Sequence, residues 1–415
     1  MKKRIISLLA CGVIAAGATA GLTGCGEKGI TVWAPQVQQT LVKEMIDEFL
    51  KENPDFKYSI KLGVCGEDMA YANMSKDVEA SADVYGYAND QLMNLKKINA
   101  VAKLGESAKA KIIADNDAKS VASCEINGEY YGYPYAADNG YFMYYDSSVV
   151  SATEAQTLEG VLSACAKAGK YFLFNQKEAW YVGTFFFGAG GDYTIEWEGT
   201  SIKKAGSDFD QKPEGSEYSY GEIGAMAHID LNANKNFVNA DDSVIDQYLS
   251  GNMLGACISG TWNAAKLSEK LGDNYAATKL PTFHSSLTDQ DYQMKSFAGY
   301  KCFGVNPQSK HLAEAHQIAA FLSGKAMQEK RFDALQIGPS NKEVAAMDKV
   351  KKNVALAALA AQAPHSKTQE SLPSSYWDPM KAFGEGVNGT SPKINKDNYK
   401  EYVKTLINDL KTDNT

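Results

Sequence analysis

A strand, a helix and a second strand follow one another directly after residue 29, and that order constrains the fold more than any other feature of the chain. Ile30-Thr31-Val32-Trp33 is a short apolar run rich in β-branched and aromatic residues. Thr40 to Lys51 repeats Leu41, Met45 and Phe49 at i,i+4 with charges opposite, the period of a half-buried helix. Asn53-Pro54-Asp55 stops it, and Phe56, Tyr58, Ile60 and Leu62 then alternate with Lys57, Ser59 and Lys61 as a strand does. Strand, helix, strand at this spacing is a βαβ unit, so the chain is of the α/β class with a parallel sheet.

The pattern recurs downstream. A polar helix is expected from Ala70 to Ala80, then a buried strand at Ala82 to Tyr87, with Asn89 and Asp90 placed to cap the helix carrying Leu92 and Leu95. Asn127-Gly128 is a two-residue hairpin turn leading into a tyrosine-rich strand. A break at Ala136 to Gly140 separates that strand from Tyr141 to Tyr145, and the two extended segments suit a crossing between lobes. Further strands are expected at Tyr171–Phe174, Met253–Ile258 and Phe297–Val305, and helices at Thr157–Ala168, Ser243–Leu249, Leu312–Leu322 and Val350–Ala361. With 415 residues the chain exceeds what one core usually serves, so two lobes are expected.

The first residues carry an address. Lys2, Lys3 and Arg4 precede an apolar run from Ile5 to Ala20, which falls short of the ~18 residues of a membrane span and reads as a secretory signal. Leu22-Thr23-Gly24-Cys25 resembles the lipobox of bacterial lipoproteins. That resemblance implies cleavage before Cys25, lipidation of its sulfur, and anchoring at the outer face of the cytoplasmic membrane in a cell with a single membrane. Two or more acyl chains anchor stably where one does not. Residues 26–29 would then form a tether.

Charge and cysteine usage exclude several classes. The formal charge is −8, and it becomes more negative once Lys2, Lys3 and Arg4 leave with the signal. An acidic chain without a basic cluster does not bind nucleic acid, whose phosphates require Lys and Arg. Cys65, Cys124, Cys165, Cys257 and Cys302 are scattered singly and read as buried apolar thiols, and the five histidines are dispersed, so neither metal nor cofactor is expected.

What chemistry remains lies in aromatics beside acids. Tyr87, Trp180, Tyr181, Trp262 and Trp377 fall at expected strand ends rather than in apolar stripes, with Asp90 and Glu178 close by and Asp138 in the tyrosine hairpin. An aromatic face accepts the weakly positive C–H side of a pyranose, and carboxylates at its rim accept the hydroxyl hydrogens. The same carboxylates admit a rival, in which Asp138 with Glu178, or Asp90 with either, forms the pair of a glycoside hydrolase. No nucleophile elbow, zinc helix, P-loop or dinucleotide motif occurs.

In order and spacing, Ile30–Trp33, Asp83–Asp90, Asn127–Asp138, Asn175–Tyr181, Ser259-Gly260-Thr261-Trp262, Leu280–Phe283 and Trp377 resemble the maltose/maltodextrin branch of the extracellular solute-binding proteins of ABC importers. The resemblance implies two α/β lobes with a ligand cleft between them. The lobes would comprise residues 30–137 with 285–341, and residues 138–284 with 342–415. It places Tyr87, Trp262 and Trp377 at stacking positions, and Asp90 and Asp138 at hydroxyl-binding ones. Glu178, Trp180 and Tyr181 match the family's Glu-Pro-aromatic-aromatic stretch, with Ala179 in place of Pro. The acidic and basic pair after the first strand is missing, and Gln38 stands in for it. A monomeric, non-enzymatic receptor for an oligosaccharide is implied, with ABC permease subunits and, through Cys25, the membrane as its other associates. Another oligosaccharide, a cation or an amino acid is the alternative cargo.

Overall fold

The structure is a computed structural model that describes residues 29–413. Cys25 and the segment before it lie outside the described residues. Ten strands form one continuous sheet. They are β1 (Gly29–Ala34), β2 (Ser59–Val64), β3 (Val84–Ala88), β4 (Tyr133–Asp146), β5 (Tyr171–Phe174), β8 (Phe237–Asn239), β9 (Leu254–Gly260), β10 (Tyr275–Thr278), β13 (Ser296–Val305) and β14 (Ser366–Thr368). Three hairpins stand apart from it: Glu125–Ile126 with Glu129–Tyr130, β6 (Tyr193–Glu198) with β7 (Ser201–Ser207), and β11 (Thr282–Ser285) with β12 (Gln290–Gln293). The sheet order is β8-β5-β9-β4-β13-β3-β1-β2, with β10 beside β4 and β14 beside β13.

At one end β1 pairs in parallel with both β2 and β3, as the βαβ pattern requires. At the other, β5 pairs in parallel with β8 and β9. The middle is antiparallel, where the long strands β4 and β13 lie side by side and each serves both ends. Two hydrophobic cores sit on either side of this pair. One gathers Val32, Met45, Phe49, Val84, Tyr87, Tyr133, Cys302 and Ile318, and the other Tyr141, Met143, Phe172, Phe185, Ile258, Phe283, Phe297 and Tyr376. These are the two lobes, spliced through one pair of strands.

Helices cover both faces in turn: α1 (Gln39–Glu52), α2 (Leu92–Lys97), α3 (Leu158–Ala168), α4 (Ala179–Gly188), α5 (Asp242–Ser250), α6 (Leu312–Leu322), α7 (Lys325–Leu335) and α8 (Val354–Gln362). In α1 the buried stripe is Val42, Met45, Ile46 and Phe49, one residue round from the expected one, with Leu41 at its edge. Asn53 closes the helix by donating its backbone N–H and its Nδ2 to Phe49 O at 3.0 and 2.8 Å. The Phe49 ring meets Phe56 and Phe321 edge-on, and burying a side chain of this kind contributes ~1.5–3 kcal/mol.

Several expectations change. The helix expected over 70–80 spans only Ala70–Met74. The break at 136–140 does not occur, because β4 runs unbroken through it, flanked by β13 and bulged at Gly299–Lys301. The β6–β7 hairpin has no counterpart among the expected strands. The chain also re-enters the first lobe later than residue 285. Met294 and Phe297 belong to the second core, and only from Cys302 onward does β13 join the first.

Candidate functional site

Open α/β sheets place ligands at the carboxyl ends of their strands. In the first lobe β3 ends at Ala88 and turns through Asn89–Gln91 into α2. Neither Asn89 nor Asp90 caps that helix through its side chain. Instead Asn89 Oδ1 accepts from Tyr300 N–H at 2.8 Å and its Nδ2 donates to Gln369 O at 2.6 Å, pinning the turn to the crossing strand. Asp90 beside it stays partly exposed. Burial pushes its carboxyl up to about 6, and the Asp68 carboxylate adds to the rise, while its own backbone and the Gln369 side chain work against it.

The second lobe contributes aromatics. Glu178 is exposed just ahead of α4, and Trp180 in the first turn donates Nε1–H to Gln369 Oε1 at 2.8 Å. Gln369 thus touches Asp90 of one lobe and Trp180 of the other. The Trp180 ring lies 5.8 Å from that of Trp262, which is 44% exposed, a conspicuous apolar area for a soluble surface. Trp262 follows β9 directly, and its ring lies so close over Gly260 that a Cβ there would come within 1.9 Å of it. Trp262 Nε1 donates to Asp242 Oδ2 at 3.1 Å, while Asn263 Nδ2 donates to Asp242 Oδ1 at 2.7 Å, so the carboxylate at the start of α5 orients the ring.

The floor is built on the crossing strands. Asp138 is 4% exposed; its Oδ2 accepts from Gly338 N–H at 3.2 Å, and its Oδ1 lies 3.5 Å from Lys301 Nζ. Its backbone carbonyl accepts from Thr261 Oγ1 at 3.3 Å, so the floor abuts the turn that carries Trp262. Burial disfavours the Lys301 ammonium, but the Asp138, Glu67 and Asp68 carboxylates outweigh it and hold its pKa above the usual lysine value. At the ends of β1 and β2, Val37, Val64 and Met69 leave exposed aliphatic surface on the same edge.

Of the residues expected at the site, the fold brings together Asp90, Trp180, Trp262 and Asp138, with Glu178 at its margin. Tyr181 is buried behind Trp180, against Tyr141 and Phe174. Trp377 packs on the second core, its ring 5.1 Å from Tyr376 and 6.4 Å from Phe297, with Nε1 donating to Leu372 O. Besides Tyr181, two further expected residues leave the site. Tyr87 is 0% exposed inside the first core, its hydroxyl directed to Tyr131 O at 3.4 Å, and a ring with no free face cannot stack on a solute. Gln38 is buried and its amide is spent on Glu67 and Arg331. Lys301, Gln369, Asp242 and Thr261 were not foreseen. Only Lys301 left a signal, as the one charge in the otherwise apolar run Phe297–Val305. All five described cysteines are free and buried, and among the described residues no trio of His, Cys, Asp or Glu is disposed to hold a metal.

Residues 44–358 match the model of the bacterial extracellular solute-binding protein family, well over half of the chain. The chain belongs to that family. A solved structure described as being with acarbose is 31% identical, with a TM-score of 0.81 over 93% of this chain and 99% of that one. The maltodextrin-binding protein of L. casei BL23, solved without ligand, is 21% identical, with a TM-score of 0.78 over 94% and 99%. The extracellular solute-binding protein of Staphylococcus aureus in complex with maltose is 20% identical, with a TM-score of 0.69 over 93% and 98%. No curated protein matches the chain by sequence. The family and the last two of these neighbours are described as solute-binding proteins rather than enzymes.

Proposed function

We propose that this solute-binding protein captures maltodextrin-type α-glucan oligosaccharides in the cleft between its lobes and delivers them to an ABC importer, tethered through lipid on Cys25. The observation that carries the reading is the Trp180–Trp262 pair, with one ring partly open to solvent and an acidic group bonded to its indole nitrogen. Two tilted indoles offer apolar faces to pyranose rings, Asp90 and Lys301 supply charge-assisted partners for the hydroxyls at the rim, and Gln369 supplies a neutral amide. The solutes named for the neighbours, acarbose and maltose, are of this class. The crossing strands β4 and β13 serve as the hinge, and a solute shifts the balance of open and closed forms only by its preference for the closed one.

No hydrolytic pair is favoured. The Asp138 carboxylate is occupied by Gly338 N–H and Lys301 in the floor, away from the exposed Glu178. Isothermal titration of the chain from Gly26 with maltotriose and longer α-glucans tests the reading. Heat with a 1:1 stoichiometry is expected; silence with every α-glucan, alongside binding of another solute, refutes it. The anchor is tested separately, because Cys25→Ala should move the protein from the membrane fraction to the medium.

A further inference from the structure

A buried charged group lies behind the cleft wall of the first lobe. Arg331, on α7, is the largest fully buried side chain of the described residues. Its Nε donates to Gln38 Oε1 at 3.3 Å and its Nη1 to Leu322 O at 2.6 Å, while the guanidinium plane lies 4.8 Å over the Tyr135 ring and 5.3 Å over Phe303. Gln38 in turn donates Nε2–H to Glu67 Oε1 at 3.1 Å, and the Tyr135 hydroxyl donates to the same oxygen. A guanidinium, two side-chain acceptors and a phenol therefore join four separate segments: α7, the turn after β1, the turn after β2, and the crossing strand β4. Burying a charge so completely is expensive, and a hydrophobic group of similar size often serves stability as well or better. Stability alone thus gives a weak reason for an arginine here.

The geometry of the two turns gives another. Glu67 and Gln38 face inward to the arginine, and their sequence neighbours face out. Val37 is 79% exposed and Met69 47%, and Asp68 is exposed between Glu67 and Met69. Asp68 adjoins the turn that carries Asp90, since Gln91 Nε2 donates to the Asp68 backbone carbonyl. We infer that Arg331 is a positioning residue for solute capture. Without touching the solute, it locks the turns after β1 and β2 so that Val37, Asp68 and Met69 are already arranged when the solute arrives. Affinity gained in this way comes from ordering completed beforehand rather than from a new contact. This role of Arg331 rests on the proposed function only for the choice of solute.

The test uses the whole chain from Gly26 and three variants. Arg331→Met strands Glu67 in the core and should lower the melting temperature. Arg331→Met with Glu67→Gln removes both charges and should recover most of that loss. Arg331→Lys keeps the charge but loses the planar fork that spans Gln38 Oε1 and Leu322 O, and should fall between wild type and Arg331→Met in affinity. Titration with maltotriose is expected to be ~10-fold weaker in the Met variant and to stay weak in the thermally recovered double variant. Hydrogen exchange should quicken at residues 36–38 and 64–69 in both, with the rest of the first lobe unchanged. A double variant that regains wild-type affinity and wild-type exchange in those turns overturns the inference, as does faster exchange spread evenly over the lobe. Should wild type not bind maltotriose, the functional reading fails, and the exchange arm still decides the role of Arg331.

Discussion

Replacing Asp90 with asparagine should make the protein more stable and a worse receptor. The carboxyl is raised from 3.8 to about 6, with burial the first cause. At 1.36 kcal/mol per unit that shift is a ceiling of about 3 kcal/mol, and solvent reaching the partly exposed side chain reduces it to ~1–2 kcal/mol. A carboxylate whose folded pKa lies above its unfolded value binds protons more tightly when folded, so it destabilises the fold at neutral pH. The penalty is fully present above about pH 6 and absent below the unfolded value near 3.9. Asp90→Asn should therefore raise Tm by roughly 2 °C at pH 7.5, and the difference should vanish toward pH 4. A hydrogen bond to a charged group contributes ~1.5–3 kcal/mol, so loss of the anion should weaken maltotriose binding roughly 10- to 100-fold. Wild-type affinity should also fall as pH drops through 6, while that of the variant stays flat. Scanning fluorimetry and calorimetric titration across pH 4–8 measure both. A lower Tm in the variant, or unchanged affinity, would refute the argument.

Other outcomes follow from the same geometry. Trp262→Ala should cost at least ~10-fold in affinity by titration with little change in Tm, because the ring is exposed and central to the aromatic wall. Tyr87→Phe should alter affinity less than about two-fold, since the ring is enclosed in the first core and its hydroxyl bond is long. Phe49→Ala, which empties a cavity among Phe56, Phe321 and the α1 stripe, should cost ~3–5 kcal/mol by denaturant titration. In the chain from Gly26 no thiol should react with Ellman's reagent while folded, and five should react in guanidinium.

The local grammar was legible wherever side chains near in sequence decide the outcome. Leu312–Leu322 forms the helix its period announces, and Asn127 and Gly128 both adopt the positive φ that their hairpin turn demands. Reading failed where distant partners decide. Ala136–Gly140 looks like a break in isolation, yet β13 arrives from ~160 residues away to keep it extended. Tyr87 and Trp262 both end strands next to polar residues, and nothing in either segment tells that one is walled in by β13 and Tyr131 while the other lies bare over Gly260. Gln38 looked like a solute ligand because Arg331, its partner, comes 293 positions later.

The splice between the lobes also governs how the chain can acquire its shape. The first core needs Cys302, Val305, Ile318 and Met327 beside strands made from residues 30–88. A chain emerging amino end first thus carries most of its length before that lobe can close, whereas the second core draws much of its mass from the uninterrupted stretch between residues 141 and 297. The inserted lobe can condense early, and the lobe bearing the amino terminus must wait for the return of β13. Such delayed closure leaves the first lobe without its stabilising partners until β13 pairs with β3.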